Sequence, residues 1–277
     1  MKLYKTKNGI IIERDNIFYQ IKDKDWDSFI NDDNLYNKMI GITDKHNPID
    51  NAEKILKDLE APIHSQELWA AGVTYLKSKE ERQEESKDAG GGDFYARVYA
   101  AERPELFFKG NRHRIVNPGG KVRIRKDSTW NVPEPELTLV ITSSGKITGY
   151  TIGNDMSSRS IEGENPLYLP QAKTYDGCAA LGPCIFVTEN QIPGSTAIHL
   201  EIRRNNLSVF EGSVEINQMK RKLNELVFFL YRECSFPNGS LLMTGTGIVP
   251  SSDFTLHSGD EILITIDSIG TLKNIVE

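Results

Sequence analysis

The chain has 277 residues, of which 38% are hydrophobic and 26% are charged, and this balance excludes a disordered or fibrous protein. Its 39 acidic and 33 basic residues give a net charge of −6, which argues against nucleic-acid and anionic-membrane partners. No apolar run is long enough to cross a bilayer, and the N-terminus lacks the apolar stretch of a signal peptide. The cysteines Cys178, Cys184 and Cys234 lack metal-pair spacing and are expected to be reduced thiols. We therefore expect a soluble, cytoplasmic globular protein, with an enzyme as the leading class.

The first 65 residues differ in character from the rest. Short apolar runs at 9–12 and 17–21 lie next to turn residues, a pattern that predicts a few short strands. A polar helix is expected near Asp50 to Leu59. We interpret residues 1–65 as a small accessory β-rich domain and residues 66–277 as the catalytic domain.

A strongly charged segment follows, and it predicts two helices. Ser78 and Glu81 have the spacing of a capping box, so the first helix is expected to begin at Ser78. The sequence AGGG at 89–92 should end it, and Asp93 should cap a second helix that stops before Pro104. Such a pair of helices is typical of a mobile lid over a site, but a solvated surface hairpin would have the same pattern.

Strand patterns dominate the rest of the chain. The run 68–73 predicts a buried strand, and apolar residues alternate at 137–141 and again at 262–266. Apolar residues at helical spacing between 216 and 230 predict one amphipathic helix that packs on a sheet. Many strands and few helices favour a β-rich α+β fold.

The stretch NVPEPELTLVITSSGKITGYTIGND predicts a hairpin that brings three carboxylates together. Glu134 and Glu136 are two residues apart, so both side chains point to one face of an extended strand. A two-residue turn at Ser144-Gly145 sets a register in which paired residue numbers sum to 289. In that register Asp155 lies opposite Glu134, on the same face as Glu136.

Such a cluster of like charges needs a neutralising cation. The carboxylates repel one another and raise one another's pKa unless a positive charge lies among them. Mg²⁺ prefers oxygen ligands, and Mn²⁺ or Ca²⁺ would suit the same residues. A solvated acidic surface is the alternative interpretation.

Two further stretches are candidates for ligand binding. Residues 154–183 have little periodicity and predict a long loop that folds over something. Within it, Gln171 and Lys173 lie two residues apart, and Lys173 would form a structural ion pair, hold a substrate carboxylate or transfer a proton. Arg159 is expected to form a structural ion pair. The Thr-Gly-Thr-Gly turn at 244–247 would allow a ligand close to the backbone, although a plain tight turn has the same sequence.

Several motifs occur in an order that resembles the fumarylacetoacetate hydrolase superfamily. They are Gly72 to Tyr75, Pro104 to Lys109, Glu134-Pro135-Glu136, Gly149 to Asp155, Gln171 to Lys173, Thr244-Gly245-Thr246 and Gly259-Asp260. The resemblance spans about residues 67–277. It implies a β-rich, barrel-like core in a homodimer or homotetramer, with a divalent metal, usually Mg²⁺, bound by Glu134, Glu136 and Asp155.

Within the superfamily, SSRSIEGENPLYLPQAK resembles the 2-keto-3-deoxy-D-arabinonate dehydratase branch. The hydrolases carry the pattern Gly-x-x-Tyr-x-x-His-x-x-Glu, in which the histidine activates water. Here the frame runs from Gly72 through Tyr75 to Glu81, and Ser78 stands at the histidine position. A serine is not a general base at neutral pH, so the resemblance implies dehydration in place of C–C bond hydrolysis.

The resulting hypothesis is the dehydration of a 2-oxo-3-deoxy sugar acid, such as 2-keto-3-deoxy-D-arabinonate, to 2,5-dioxopentanoate through a metal-stabilised enolate. Lys173 would bind substrate and transfer a proton near the 2-oxo group, and Glu105 would remove the C3 proton. Thr246, Gln171 and Ser78 would bind substrate. The rival hypotheses are an acylpyruvate hydrolase or oxaloacetate decarboxylase of the same superfamily, and a non-catalytic binding protein.

Overall fold

The computed structural model describes residues 1–22, 24–50, 56–85 and 92–277, and its strands form two sheets. The larger sheet has eleven strands: β1 (Lys2–Thr6), β2 (Gly9–Arg14), β3 (Ile17–Ile21), β4 (Leu59–Glu60), β5 (Glu67–Gly72), β6 (Glu105–Gly110), β7 (Ile115–Val116), β9 (Asn131–Ile141), β10 (Ile147–Ser158), β11 (Ala179–Phe186) and β14 (Ser240–Met243). The smaller sheet has five strands: β8 (Lys121–Val122), β12 (Ala197–Arg204), β13 (Leu207–Glu215), β15 (Glu261–Ile266) and β16 (Gly270–Val276). The predicted β-rich α+β fold is confirmed.

The described helices are few and short. They are α1 (Trp26–Ile30), α2 (Leu35–Thr43), α3 (Leu76–Glu85), α4 (Gly92–Ala100), α5 (Arg159–Glu164), α6 (Leu169–Lys173) and α7 (Leu223–Tyr231). The amphipathic helix expected between 216 and 230 is α7, whose buried residues are Leu223, Leu226, Val227 and Leu230. Among the described residues, no helix is long and apolar enough to cross a membrane.

The larger sheet lies between two hydrophobic clusters. Its main path runs β3-β2-β1-β11-β10-β9-β14-β5-β6, so the long β9–β10 hairpin is central. Leu139 and Ile152 belong to a cluster that also contains Leu200 and Ile264 of the smaller sheet. Val140, on the opposite face of β9, belongs to a cluster with side chains of α1 and α2. Alternate residues of the hairpin therefore face two different environments.

The N-terminal strands are present, and they continue the larger sheet. β1 pairs with β11, with Leu3 opposite Ile185. The helices α1 and α2 were not predicted. The polar helix expected near Asp50 to Leu59 falls largely on residues 51–55, outside the described residues, and a single 3-10 turn at Leu56–Asp58 follows. A domain boundary near residue 65 remains a prediction.

The predicted start of the first charged helix was wrong by two residues, since α3 begins at Leu76. Ser78 closes the first turn from within the helix: its hydroxyl donates to the carbonyl of Tyr75 at 2.8 Å and accepts from the Tyr75 N–H at 3.3 Å. Glu81 pairs with Lys77, at 2.8 Å between Nζ and Oε1, and does not cap the helix.

Two neighbouring predictions also need correction. The second helix begins at Gly92, one residue before Asp93, and ends before Pro104 as expected. Of the predicted AGGG break, residues 89–91 lie outside the described residues. The stretch 154–183 is more ordered than a long loop, because it contains the end of β10 and the helices α5 and α6.

Candidate active site

The β9–β10 hairpin sets the positions of the predicted metal ligands. Glu134 lies opposite Asp155, as the register predicted. The turn itself is longer than predicted: Ser143 does not lie opposite Lys146, because the Thr142 N–H bonds the Lys146 carbonyl at 2.9 Å. A bulge before Gly149 adds one residue to β10 and restores the predicted pairing.

The three carboxylates meet inside the protein. Glu134, Glu136 and Asp155 are all buried, and one oxygen of each lies within 4.8 Å of the others. The N–H of Gly245, in the predicted Thr-Gly-Thr-Gly turn, donates to Glu136 Oε2 at 2.6 Å. Three buried carboxylate oxygens at this spacing are the kind of ligand that a divalent cation such as Mg²⁺ prefers, so these residues would hold one. The alternative of a solvated acidic surface is excluded by the burial.

Buried cations surround two of the carboxylates. Lys173 Nζ is 2.8 Å from Glu134 Oε2 and 3.0 Å from Asp155 Oδ2, and it also donates to Ser157 Oγ at 2.6 Å. Arg159 Nη2 lies 2.7 Å from Glu134 Oε1, which confirms the ion pair predicted for this arginine. Lys173 therefore donates hydrogen bonds to three oxygen atoms at the cluster.

The neighbouring charges shift the pKa values of Glu134 and Glu136 in opposite directions. Burial by itself would raise the pKa of Glu134, but Lys173 and Arg159 reverse this and hold the pKa below its usual value. Burial raises the pKa of Glu136 well above its usual value, and the charges of Asp155 and Glu134 add to the rise. Burial also disfavours the charged form of Lys173, yet Asp155 and Glu134 raise its pKa overall. A divalent cation among these oxygens would stabilise the ionised form of Glu136, so the residues fit a metal.

Glu105 lies on β6 and interacts electrostatically with Lys173 and Glu134, but its side chain lines a neighbouring surface pocket with Tyr95 and Pro104. It pairs with Gly72 of β5, and a Cβ at Gly72 would lie only 2.1 Å from Glu105 Oε2. The carboxyl group of Glu105 therefore occupies space that is free only because Gly72 has no side chain. Oε2 is buried and has no hydrogen-bond partner among the described residues. Burial raises the pKa of Glu105, and the positive charge of Arg82 opposes that rise.

A cavity opens beside these groups, and most of the predicted substrate-binding residues line it. Its walls include Gly72, Ser78, Arg82, Phe107, Glu134, Asp155, Arg159, Lys173, Gly245 and Thr246. The Thr246 hydroxyl donates to the Ile248 carbonyl at 3.1 Å and accepts from the Ile248 N–H at 3.2 Å, so local bonds fix its direction.

The structure does not bring the Gln171 side chain to this cavity. Gln171 and Lys173 both lie on α6, where residues two apart point to opposite sides. Lys173 is buried, whereas Gln171 is exposed and is absent from the cavity lining. The pattern at 154–183 predicted a loop, in which Gln171 and Lys173 need not point to opposite sides.

Three buried charged residues were not predicted. Lys109 Nζ is 2.5 Å from Asp155 Oδ1, donates to the Met156 carbonyl at 3.0 Å, and also contacts the Lys173 carbonyl. Glu162 Oε1 lies 3.1 Å from Arg82 Nη2. A lysine that ends the apolar run of β6 is a sequence signal for Lys109, because a lysine is rarely buried unless it is paired. No spacing in the sequence relates Arg82 to Glu162.

A two-sheet β-rich fold with this buried cluster is that of the fumarylacetoacetate hydrolase family, and the chain belongs to it. The family model described as "Fumarylacetoacetate (FAA) hydrolase C-terminal" matches residues 67–277. The resemblance identified from the sequence motifs is therefore confirmed.

Within the family, the chain is similar in sequence and structure to proteins named as sugar-acid dehydratases. A protein of Haloferax volcanii named as a probable 2-keto-3-deoxyxylonate dehydratase is 46% identical over 216 residues, which cover 78% of this chain and 73% of the relative. The 2-dehydro-3-deoxy-D-arabinonate dehydratase of Saccharolobus solfataricus is 47% identical over 214 residues, 76% of this chain and 72% of the relative. A solved 2-keto-3-deoxy-D-arabinonate dehydratase, complexed with magnesium and 2,5-dioxopentanoate, superposes with a TM-score of 0.83 at 36% identity, covering 100% of this chain and 99% of that one.

Proposed function

We propose that the protein removes water from a 2-oxo-3-deoxy sugar acid, such as 2-keto-3-deoxy-D-arabinonate, to give 2,5-dioxopentanoate. The observation that carries the choice of dehydration is the position of the histidines. All five lie among the described residues, all five are exposed, and none lines the cavity. Hydrolysis of a C–C bond needs a base that activates water, and the buried Ser78 is not such a base. The names of the relatives at 46% and 47% identity support the same reaction.

Glu134, Glu136 and Asp155 would hold Mg²⁺ as the cofactor, and Mn²⁺ or Ca²⁺ would suit the same oxygens. When bound, the metal supplies positive charge beside the 2-oxo and carboxylate oxygens of the substrate and makes the C3 proton more acidic. The magnesium in the related solved structure supports this assignment.

Glu105 and Lys173 are the proton-transfer groups in this proposal. Glu105 accepts the C3 proton, because its Oε2 is buried without a hydrogen-bond partner among the described residues and its pKa is raised. Lys173 carries a proton within the cluster, where Glu134 and Asp155 hold its ammonium beside the position of the 2-oxo group. The C3–H and C4–O bonds break, the C4 hydroxyl leaves as water, and the unsaturated acid tautomerises to the aldehyde.

The remaining groups of the cavity orient the substrate. Ser78 and Thr246 line the cavity and present hydroxyl oxygens to the substrate hydroxyls or carboxylate. Gln171 has no part in this arrangement, since its side chain is exposed on the far side of α6. The predicted homodimer or homotetramer and the cytoplasmic location are separate predictions, which gel filtration and cell fractionation test.

The test offers the purified protein a 2-oxo-3-deoxy pentonate and an acylpyruvate under identical Mg²⁺ conditions. We expect 2,5-dioxopentanoate from the sugar acid, trapped as its hydrazone, and no cleavage of the acylpyruvate. Glu105→Gln, which keeps the size of the side chain but removes the base, should abolish product formation. Faster cleavage of the acylpyruvate, with no aldehyde from the sugar acid, would overturn the proposal in favour of a hydrolase.

A further inference from the structure

Helix α3 forms one wall of the cavity, although it has almost no apolar surface. Its sequence, LKSKEERQEE, contains one apolar residue, Leu76, which is 52% exposed. Of the side chains described in this helix, Ser78 and Arg82 are the two that are buried, and both line the cavity. Helices in proteins are usually held by an apolar face. Polar contacts must therefore fix the position of α3.

Arg82 makes contacts of the required kind. Its Nη2 lies 3.1 Å from Glu162 Oε1 of α5, and the two side chains are 5% and 1% exposed. Its guanidinium also lies 5.6 Å from the ring centroid of Tyr95 in α4, a cation–π contact. One side chain thus connects three helices, and it does so where water screens the charges little.

Glu162 extends this connection to the centre of the site. Its Oε1 is 3.4 Å from Lys173 Nζ, and its Oε2 is 3.7 Å from Arg159 Nε. Arg159 in turn contacts Glu134. A continuous series of buried charged contacts runs from α3 to the proton-transfer lysine and to a predicted metal ligand.

We propose that Arg82 is a positioning residue that acts through Glu162. The contact holds α3, and with it Ser78, against the carboxylate cluster, and it keeps Glu162 directed at Lys173. The kinetic part of this inference rests on the proposed dehydratase function. The position of the helix does not depend on which reaction the site performs.

Arg82 also contributes charge at Glu105. The charged and titratable groups that act on Glu105 are Arg82 of α3, Tyr95 of α4, Glu162 of α5, Lys173 of α6 and Glu134 of β9. Burial raises the pKa of Glu105, and Arg82 is the leading charge that opposes the rise. A neutral residue at position 82 should therefore raise that pKa further.

The first test measures amide hydrogen exchange of residues 79–85 in the substrate-free protein. Arg82→Met and Glu162→Gln should each speed exchange at least about tenfold, the effect of losing a hydrogen bond between charged groups. The double variant should exchange no faster than the faster single variant, because both changes remove one contact. Arg82→Lys should restore part of the protection. The control Lys77→Met removes an i,i+4 ion pair that is internal to α3 and should change the exchange of residues 79–85 by no more than about twofold.

The second test separates positioning from general stability. In Arg82→Met, kcat should fall and the acidic limb of the pH–rate profile should move to higher pH. The affinity for Mg²⁺ alone should not fall, because the substitution removes positive charge near Glu134. Exchange within about twofold of the parent in Arg82→Met, or additive effects in the double variant, would overturn the inference. If Arg82→Met fails to fold, Arg82→Lys and Glu162→Gln decide the question by the same criteria. If the parent does not dehydrate the sugar acid, the proposed function fails, while the exchange data still decide the role of Arg82.

Discussion

A single methyl group at position 72 tests the role assigned to Glu105. Gly72 lies opposite Glu105 in the β5–β6 pair, and a Cβ there would be 2.1 Å from Oε2 and 2.6 Å from the carboxyl carbon. The backbone of Gly72 is not in the left-handed region, so alanine adopts its conformation without strain. The clash falls on the far end of a flexible side chain. Gly72→Ala should therefore move the carboxyl group and leave the sheet intact.

The size of the effect follows from that distance. Oε2 must move by about 1.3 Å to reach the 3.4 Å of an ordinary van der Waals contact. Displacement of a reacting group by about 1 Å costs roughly 100-fold in rate, so we expect kcat to fall by about 100-fold. The free energy of unfolding should stay within about 1 kcal/mol of the parent, because a Gly→Ala change without strain is mildly stabilising.

The assay compares kcat on the sugar acid and urea unfolding for Gly72→Ala, Gly41→Ala and the parent. Gly41 lies in α2, and no atom comes within 4 Å of a Cβ built there. This control should keep full activity and gain up to about 1 kcal/mol in stability. A folded Gly72→Ala variant whose kcat is within about twofold of the parent would refute the proposal that the Glu105 carboxyl must occupy this position.

Three further predictions concern the charges of the site. Glu136→Gln should weaken Mg²⁺ binding at least about 100-fold by calorimetry, since losing even a residue that hydrogen-bonds to a metal ligand costs 10–100-fold in affinity. Without metal, the melting temperature of this variant should not fall, because the change removes a buried carboxyl that Asp155 repels. Lys109→Met should lower the free energy of unfolding in urea by about 3–5 kcal/mol, because it removes a buried partner of Asp155 and of the Lys173 carbonyl. A decrease below about 1 kcal/mol, typical of an exposed pair, would contradict this. Because burial raises the pKa of Glu105, kcat/KM should fall with decreasing pH through a value above 4.5; a profile that stays flat down to pH 4.5 would show that Glu105 is not the base.

The sequence revealed the parts of the site that lie on one continuous element. Glu134, Glu136 and Asp155 belong to a single hairpin, and the period of two residues in a strand relates their side chains directly. Lys173 was predicted from its place in the Gln171 to Lys173 motif, although its contacts depend on α6. The opposite orientations of Gln171 and Lys173 were not predicted, since a helix of five residues has too little hydrophobic periodicity to detect.

The parts that sequence reasoning missed come from separate elements. Lys109, Arg82 and Glu162 lie on β6, α3 and α5, and tertiary packing alone brings them together. Each is a common surface residue type, and only burial beside opposite charges distinguishes it. The short helices α1 and α2 escaped prediction for a related reason, because five and nine residues give a weak helical pattern.

The hairpin register was predicted correctly even though the predicted turn was wrong, and the reason lies in the two faces of the strands. Ile152 and Met156 of β10 pack in the cluster shared with the smaller sheet, and Asp155 points the other way. A slip of one residue would exchange these faces and force Asp155 into the apolar space between the sheets. Burying an unpaired carboxylate there costs several kcal/mol, far more than a change of turn type or a bulge. The hydrophobic pattern of the strands therefore fixes the register, and the turn and the bulge at Thr148 adapt to it. The same pattern that builds the core thus places the three carboxylates on one face.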